Sequence, residues 1–70
     1  MTKYLGYWST GSSYNREGIE FSSLREAVKV MRSIAWGNNT GSGARWAVYR
    51  REDVYTHGCA TELAVRSGRV

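Results

Sequence analysis

Residues 24–36, LREAVKVMRSIAW, have the spacing of an amphipathic α-helix. Apolar side chains recur there at intervals of three and four residues, which places them on one face of a helix. They are Leu24, Ala27, Val28, Met31, Ile34 and Ala35. Because such a face is stable only when it packs on another layer, we expect the rest of the chain to supply a sheet.

The same helix carries a second, narrower stripe of three cations and one aromatic ring. Its members lie at i, i+4, i+7 and i+11, and they are Arg25, Lys29, Arg32 and Trp36. Like charges at this spacing repel by only a few tenths of a kcal/mol, so a solvated face is one interpretation of the stripe. A contact surface for a partner is the other, since an exposed Trp beside cations is typical of binding hot spots. A Trp in the last turn also commonly folds back onto a sheet.

Signals for both ends of this helix flank the apolar stripe. Ser23 and Glu26 stand three residues apart, as in a capping box, where the serine hydroxyl accepts a hydrogen bond from the glutamate amide. Gly37 stands where a glycine with positive φ commonly ends a helix. We therefore predict a helix over 24–36.

Three other segments alternate as β-strands do: 3–9, 16–21 and 44–50. The first two predict a hairpin with a long loop. We predict an α+β fold in which a small antiparallel sheet of three to four strands, in the order ββαβ or ββαββ, is packed on one face by a single α-helix. Residues 1–70 are expected to form one domain. The expected core is Ile19, Phe21, Leu24, Val28, Met31, Ile34, Ala35, Trp46 and Val48.

The last twenty residues carry weaker patterns. Residues 51–53 are expected to turn the chain, and 54–56 to form a short return strand. Residues 62–66 fit either a last edge strand or a helical turn, whereas 67–70 are expected to fray. An uncovered edge strand would allow a dimer as well as a monomer.

The charge of the chain favours an anionic partner. The net charge is +4, and eight of the ten basic residues are arginine, whose planar fork suits carboxylate, phosphate and base contacts. Solubility alone is the alternative explanation, because small domains carry charges of this size anyway.

A second candidate cluster lies in and after the third strand, with the aromatic residues of the first hairpin near it. Its members are Arg45, Tyr49, Arg50 and Arg51, with Tyr4, Tyr7, Trp8 and Tyr14 as neighbours. Arginine interleaved with aromatic rings on a sheet resembles platforms for single-stranded nucleic acid. Ordinary cross-strand aromatic pairing explains the same pattern, and no named RNA-binding motif is present.

Chemical sites are sparse. His57 and Cys59 lack an obvious orienting carboxylate or amide, and one His with one Cys falls short of a four-ligand zinc site. The glycine-rich segment 37–43 follows a helix and lacks the ending of a P-loop. We therefore predict no catalytic residue, cofactor or metal, and no enzymatic activity. The single cysteine excludes an internal disulfide, and without a signal-like apolar start we expect a cytoplasmic protein.

Two short motifs resemble a group of small proteins from phages and mobile elements. They are FSSLREA at 21–27 and WAVY at 46–49, within a resemblance that spans 16–50. Some anti-CRISPR proteins of that group have this size and a helix-on-sheet build. The resemblance implies a protein that acts by binding a larger host assembly, and it transfers no functional residue.

The sequence thus predicts a non-enzymatic, phage-type interaction protein in the host cytoplasm. It would bind an acidic surface of a host protein or ribonucleoprotein complex and modulate or inhibit it. The alternative is a small basic nucleic-acid-binding protein that uses arginine and aromatic residues. The expected partner-binding residues are Arg25, Lys29, Arg32, Trp36, Arg45, Tyr49, Arg50 and Arg51.

Overall fold

The computed structural model describes residues 3–10, 14–37, 43–57 and 63–69, without the side chain of His57. The elements are, in chain order, β1 (Tyr4–Thr10), β2 (Ile19–Phe21), α1 (Leu24–Gly37), β3 (Ala44–Arg50), α2 (Arg51–His57) and β4 (Arg66–Arg69). The strands form one antiparallel sheet in the order β2-β1-β3-β4, and α1 packs across one face of it. The α+β class with one main helix on a four-stranded sheet is therefore confirmed. Among these residues, no helix is long and apolar enough to cross a membrane.

The main core lies between α1 and the sheet. Met31 of α1 and Val48 of β3 are completely buried, and the small residues Ala27, Ala35 and Ala44 bring the two layers close together. A Cβ at Gly6 of β1 would overlap Sδ and Cγ of Met31, so β1 contributes bare backbone at this point. The helix is therefore seated on β1 and β3 along its small-residue face.

Most of the expected core is confirmed. Five expected core residues are buried: Phe21, Met31, Ala35, Trp46 and Val48. The other four are half-buried and pack against this cluster: Ile19, Leu24, Val28 and Ile34. The helix start is also as expected, since the Glu26 amide donates to Ser23 Oγ at 3.5 Å. Gly37, in contrast, ends α1 without a positive φ; Gly18 and Gly43 have one among the described residues.

The opposite face of the sheet has a smaller apolar cluster. Leu5 and Tyr49 are cross-strand partners on β1 and β3, and both are buried. Successive strand residues alternate faces, so these two point away from α1. Tyr7 meets Tyr49 edge-to-face, with ring centroids 5.8 Å apart.

The expected turn at 51–53 and strand at 54–56 are wrong, because Arg51–His57 form α2. Glu52 and Asp53 stand in its first turn, where carboxylates are favourable near the positive end of the helix dipole. The amide of Arg51 donates to the Lys3 carbonyl at 2.8 Å, which ties the helix start to the sheet.

The ends of two strands also differ from expectation. A last edge strand exists, but it begins at Arg66, and the expected fraying of 67–69 is wrong. These residues pair with β3 from Arg45 to Ala47, and such cross-strand partners are invisible to local patterns. Strand β2 spans Ile19–Phe21 rather than 16–21, since Gly18 before it has φ +76°. Val70 and most of the 37–43 connector lie outside the described residues.

Candidate partner-binding surfaces

The basic stripe of α1 lines a groove between α1 and β4. We call this the α1 groove; its volume is about 770 Å³ and its walls are Arg25, Val28, Lys29, Arg32, Ser33, Trp36, Trp46 and Arg69. Trp36 is 73% exposed, so it does not fold back onto the sheet. The four predicted α1 residues are therefore together on one accessible surface.

The charges of this groove are not neutralised within the described structure. No described carboxylate lies within ion-pair distance of Arg25, Lys29 or Arg32, although Glu26 is their neighbour in sequence. No Asp or Glu is among the described residues that line the groove. The groove is therefore a surface of concentrated positive charge with two tryptophans at its walls.

Arg69 is a functional candidate that the sequence analysis missed. It is exposed on β4 and lines the α1 groove as a fourth cation. Only the strand assignment of 66–69 reveals its position, because the register of β4 places Arg69 opposite Arg45 of β3.

A second groove crosses the sheet face opposite α1, and we call it the sheet groove. Its volume is about 760 Å³, and its exposed or half-buried walls include Tyr7, Tyr14, Arg16, Arg45, Ser67 and Arg69. Among the described lining residues, three are arginine and none is acidic. Tyr14 and Arg16 come from the connection between β1 and β2; the sequence had indicated Tyr14 as a neighbour of the Arg45 cluster, whereas Arg16 had been assigned only to the start of a strand.

Asn15 fixes that connection to β1. Its Oδ1 accepts a hydrogen bond from the Trp8 amide at 2.7 Å, and its Nδ2 donates to the Gly6 carbonyl at 3.2 Å. Its own amide donates to the Trp8 carbonyl at 3.3 Å. Asn15 thus takes the place of a strand residue beside β1, and it holds Tyr14 and Arg16 at the end of the sheet groove.

The exposed aromatic of this groove is Tyr14, which is 61% exposed and has the Arg16 guanidinium 5.9 Å from its ring centroid. Tyr49 was expected to contact a partner, but it is only 5% exposed. Its ring packs edge-to-face against the ring of Tyr7 instead. Arg45 is exposed on the same face and has no carboxylate partner among the described residues.

Arg50 and Arg51 lie apart from both grooves and have partners within the chain. Arg50 Nε binds Asp53 Oδ2 at 2.9 Å, and Arg51 binds Glu20 at 3.5 Å while its guanidinium lies 5.8 Å from the Tyr55 ring centroid. These two arginines stabilise the start of α2, so their charge is less available to a partner.

Glu20 is the carboxylate that joins β2 to the neighbouring cations. Lys3 lowers the pKa of Glu20 through a hydrogen bond of 3.0 Å and through its charge, and Arg51 lowers it further. The ionised form of Glu20 therefore links Lys3, just before β1, and Arg51, at the start of α2, to the edge strand β2.

The remaining chemical candidates fall almost entirely outside the part of the chain that the structure describes. The side chain of His57, the whole of Cys59 and residues 38–42 lie outside the described residues. Elsewhere in the described chain, no group of three or more His, Cys, Asp and Glu side chains is placed to hold a metal. No protein-family model, curated protein or solved structure matches this chain, so its function is argued from the two grooves.

Proposed function

We propose that this chain is a non-enzymatic interaction protein that binds an acidic protein surface through the α1 groove. The observation that carries the proposal is a line of cations without carboxylate partners in the described chain, ending at a tryptophan that is 73% exposed. Following the resemblance to phage and mobile-element proteins, we propose a host protein or ribonucleoprotein complex as the target, which binding modulates or inhibits.

The size of the stripe limits what the target must offer. Arg25 and Arg32 are seven residues apart, which is about 10 Å along a helix axis. Trp36 adds about 6 Å more, and Arg69 widens the patch toward β4. A complementary surface therefore needs several carboxylates within about 10 Å, next to a pocket for an indole ring.

The chemistry of the groove suits a protein partner. Tryptophan and arginine are the residues most enriched in binding hot spots, where a ring fills a pocket and charge pairs are shielded from water. The repulsion among the α1 cations is small in the free chain and is relieved when carboxylates bind. Complementary charge also raises the association rate, so binding should weaken as salt rises.

Poly-L-glutamate, a stand-in for an acidic protein surface, tests this proposal in calorimetric titrations at about 50 mM salt. The triple variant Arg25→Glu, Lys29→Glu and Arg32→Glu should lower affinity at least roughly tenfold, because three exposed charge contacts of about 0.5 kcal/mol each become repulsive.

The matched control is a pair of single variants with the same charge change. Lys29→Glu removes a cation of the α1 groove, whereas Arg66→Glu removes an exposed cation that lines neither groove. The proposal requires Lys29→Glu to weaken poly-L-glutamate binding more than Arg66→Glu does. Equal effects would mean that net charge alone attracts the polymer, and the proposal would be rejected.

The alternative function, nucleic-acid binding, is favoured by a different observation. Aromatic and arginine side chains occur together in the sheet groove, on the face that α1 leaves open. That observation concerns a separate surface and leads to a separate proposal.

A further inference from the structure

Arg45 and Arg69 form a like-charge pair directly across β3 and β4. They are cross-strand partners, both are exposed, and both line the sheet groove. Directly opposite residues have Cβ atoms about 5 Å apart, and like charges in this position destabilise a sheet. No described carboxylate lies within ion-pair distance of either arginine. An anion bound between the two guanidinium groups would remove this repulsion.

Two tyrosine rings line the same groove as the arginine pair. Ser9 stands opposite Arg45, and the next row of the same face is Tyr7, Ala47 and Ser67. The side chains in these rows other than the arginines and the tyrosine are small, so they leave open space above the sheet between Arg45, Arg69 and Tyr7. Tyr7 is half-buried and fixed by Tyr49, whereas Tyr14 presents an exposed ring at the edge. Phosphate-binding groups therefore lie beside aromatic surface.

Arg16 is the third arginine of the sheet groove and lies at its β1 side. Its guanidinium lies over the Tyr14 ring, 5.9 Å from the centroid, and it lines the same groove. A ring covered by arginine offers both a stacking surface and a positive charge to one nucleotide. Asn15 anchors the backbone that carries this pair to β1 through 2.7 Å and 3.2 Å hydrogen bonds.

We propose that the sheet groove binds single-stranded nucleic acid, with Arg45 and Arg69 on a phosphate and with Tyr14 and Arg16 on a base. Charge complementarity selects a polyanion, since the described lining contains arginines and no carboxylate. The rings select unpaired bases, because bases within a duplex are already stacked and cannot lie on a side chain. An acidic protein segment would use the arginines but leave Tyr14 without a stacking partner.

This site is distinct from the α1 groove but touches it at Arg69, which lines both. The two proposals are therefore separated with residues that line one groove only. Tyr14, Arg16 and Arg45 line the sheet groove, whereas Lys29 and Trp36 line the α1 groove.

The test is a fluorescence-anisotropy titration with a labelled ten-nucleotide oligouridine at about 50 mM salt. The single phosphate held by Arg45 and Arg69 implies a slope of about −0.7 in a plot of log affinity against log salt, so a fourfold rise in salt should weaken binding about threefold. Tyr14→Ala should weaken it at least about fivefold, as expected for the loss of one stacked base, and Tyr14→Phe should retain it. Arg45→Glu should weaken it roughly tenfold.

Matched controls decide the outcome. Arg66→Glu and Lys29→Glu carry the same charge change as Arg45→Glu, and both should bind the oligouridine more tightly than Arg45→Glu does. No binding of the wild-type chain, equal losses in Arg45→Glu and Arg66→Glu, or full binding by Tyr14→Ala would each overturn the proposal.

Poly-L-glutamate separates the two proposals. Tyr14→Ala should bind it as the wild-type chain does, whereas Lys29→Glu should bind it more weakly. If Tyr14→Ala lost poly-L-glutamate instead of oligouridine, the sheet groove would be a site for acidic protein, and the nucleic-acid proposal would fail. Circular dichroism of each variant verifies the fold, which these exposed positions should leave intact.

Discussion

Gly68 of β4 lies directly against the indole ring of Trp46 on β3. A Cβ at Gly68 would stand 2.7 Å from Trp46 Nε1 and 2.9 Å from Cε2, closer than real side-chain contacts allow. The edge strand therefore packs on a ring that contributes to the walls of both grooves. The position of Arg69, next in the chain, depends on this contact.

We expect Gly68→Ala to displace β4 and lower stability. Overpacking of this kind costs about 1–3 kcal/mol, and each kcal/mol shifts the melting temperature of a small domain by about 4–8 °C. Because Arg69 moves with β4, binding of poly-L-glutamate and of oligouridine should both weaken. The neighbouring change Ser67→Ala removes only an exposed hydroxyl and should melt as the wild-type chain does. A Gly68→Ala variant with unchanged melting would contradict this account of the edge strand.

Gly6→Ala should destabilise the main core for a similar reason. The new methyl group would overlap Sδ and Cγ of Met31, which is completely buried, and would stand 3.0 Å from Phe21 Cε2. We expect a loss of about 1–3 kcal/mol in chemical denaturation. Met31→Ala removes both overlapping atoms, Cγ and Sδ, so the double variant should lose less than the two single changes added together. Additive losses would mean that Gly6 is needed for some reason other than space for Met31.

These two glycines make tertiary contacts that local sequence patterns do not predict. Helix α1 was predicted as 24–36 and spans Leu24–Gly37, because its periodicity and its cap are local signals. The close approaches of Gly6 to Met31 and of Gly68 to Trp46 depend on tertiary packing between residues that are distant in sequence, so no local pattern predicts them.

The candidate site divides in the same way. Arg25, Lys29 and Arg32 were predicted together because helical spacing alone brings them together. Arg51 was grouped with a binding cluster, yet it pairs with Glu20, which is 31 residues away in sequence. Arg69 was missed because its neighbour, Arg45, is given by strand register rather than by local spacing.

The ion pair of Lys3 and Glu20 predicts how stability depends on pH. Lys3 and Arg51 hold the pKa of Glu20 below its ordinary value of 4.5, so the folded chain releases this proton more readily than the unfolded chain does. The stabilisation is therefore complete above pH 4.5 and is lost as the pH falls through the lowered folded pKa.

Melting temperatures measured across acid pH test this point with Glu20→Gln as the comparison. At neutral pH the variant should melt below the wild-type chain, and the difference should shrink as the pH falls below the ordinary glutamate pKa. Because the pair is exposed, high salt should reduce the difference as well. A difference that stays constant from neutral to acid pH would show that the charge of Glu20 does not stabilise the fold.

Trp36→Ala should separate stability from binding. The ring is 73% exposed, so its removal should change the free energy of unfolding by no more than about 0.5 kcal/mol. If the proposed acidic protein partner uses Trp36 as a hot spot, calorimetric titration with that partner should show a loss of affinity of at least about 30-fold. Tyr55, at 75% exposed, is an equally accessible aromatic that lines neither groove, and Tyr55→Ala is its control. Equal affinities of the two variants would exclude a special role for Trp36.

Arg69→Glu should have opposite effects on stability and on binding. The new carboxylate would stand across the strands from Arg45, turning a like-charge pair into an opposite-charge pair. Such cross-strand pairs contribute about 0.2–1 kcal/mol, so thermal melting should show a chain that is more stable by at least this amount. The same change removes a cation from the lining of both grooves, and anisotropy should show weaker oligouridine binding. Arg66→Glu makes the identical charge change, but its cross-strand partner is the uncharged Val48, so this variant should not be more stable than the wild-type chain. A rise in stability confined to Arg69→Glu, together with weaker oligouridine binding, would mean that the Arg45–Arg69 pair lowers the stability of the fold and contributes to anion binding.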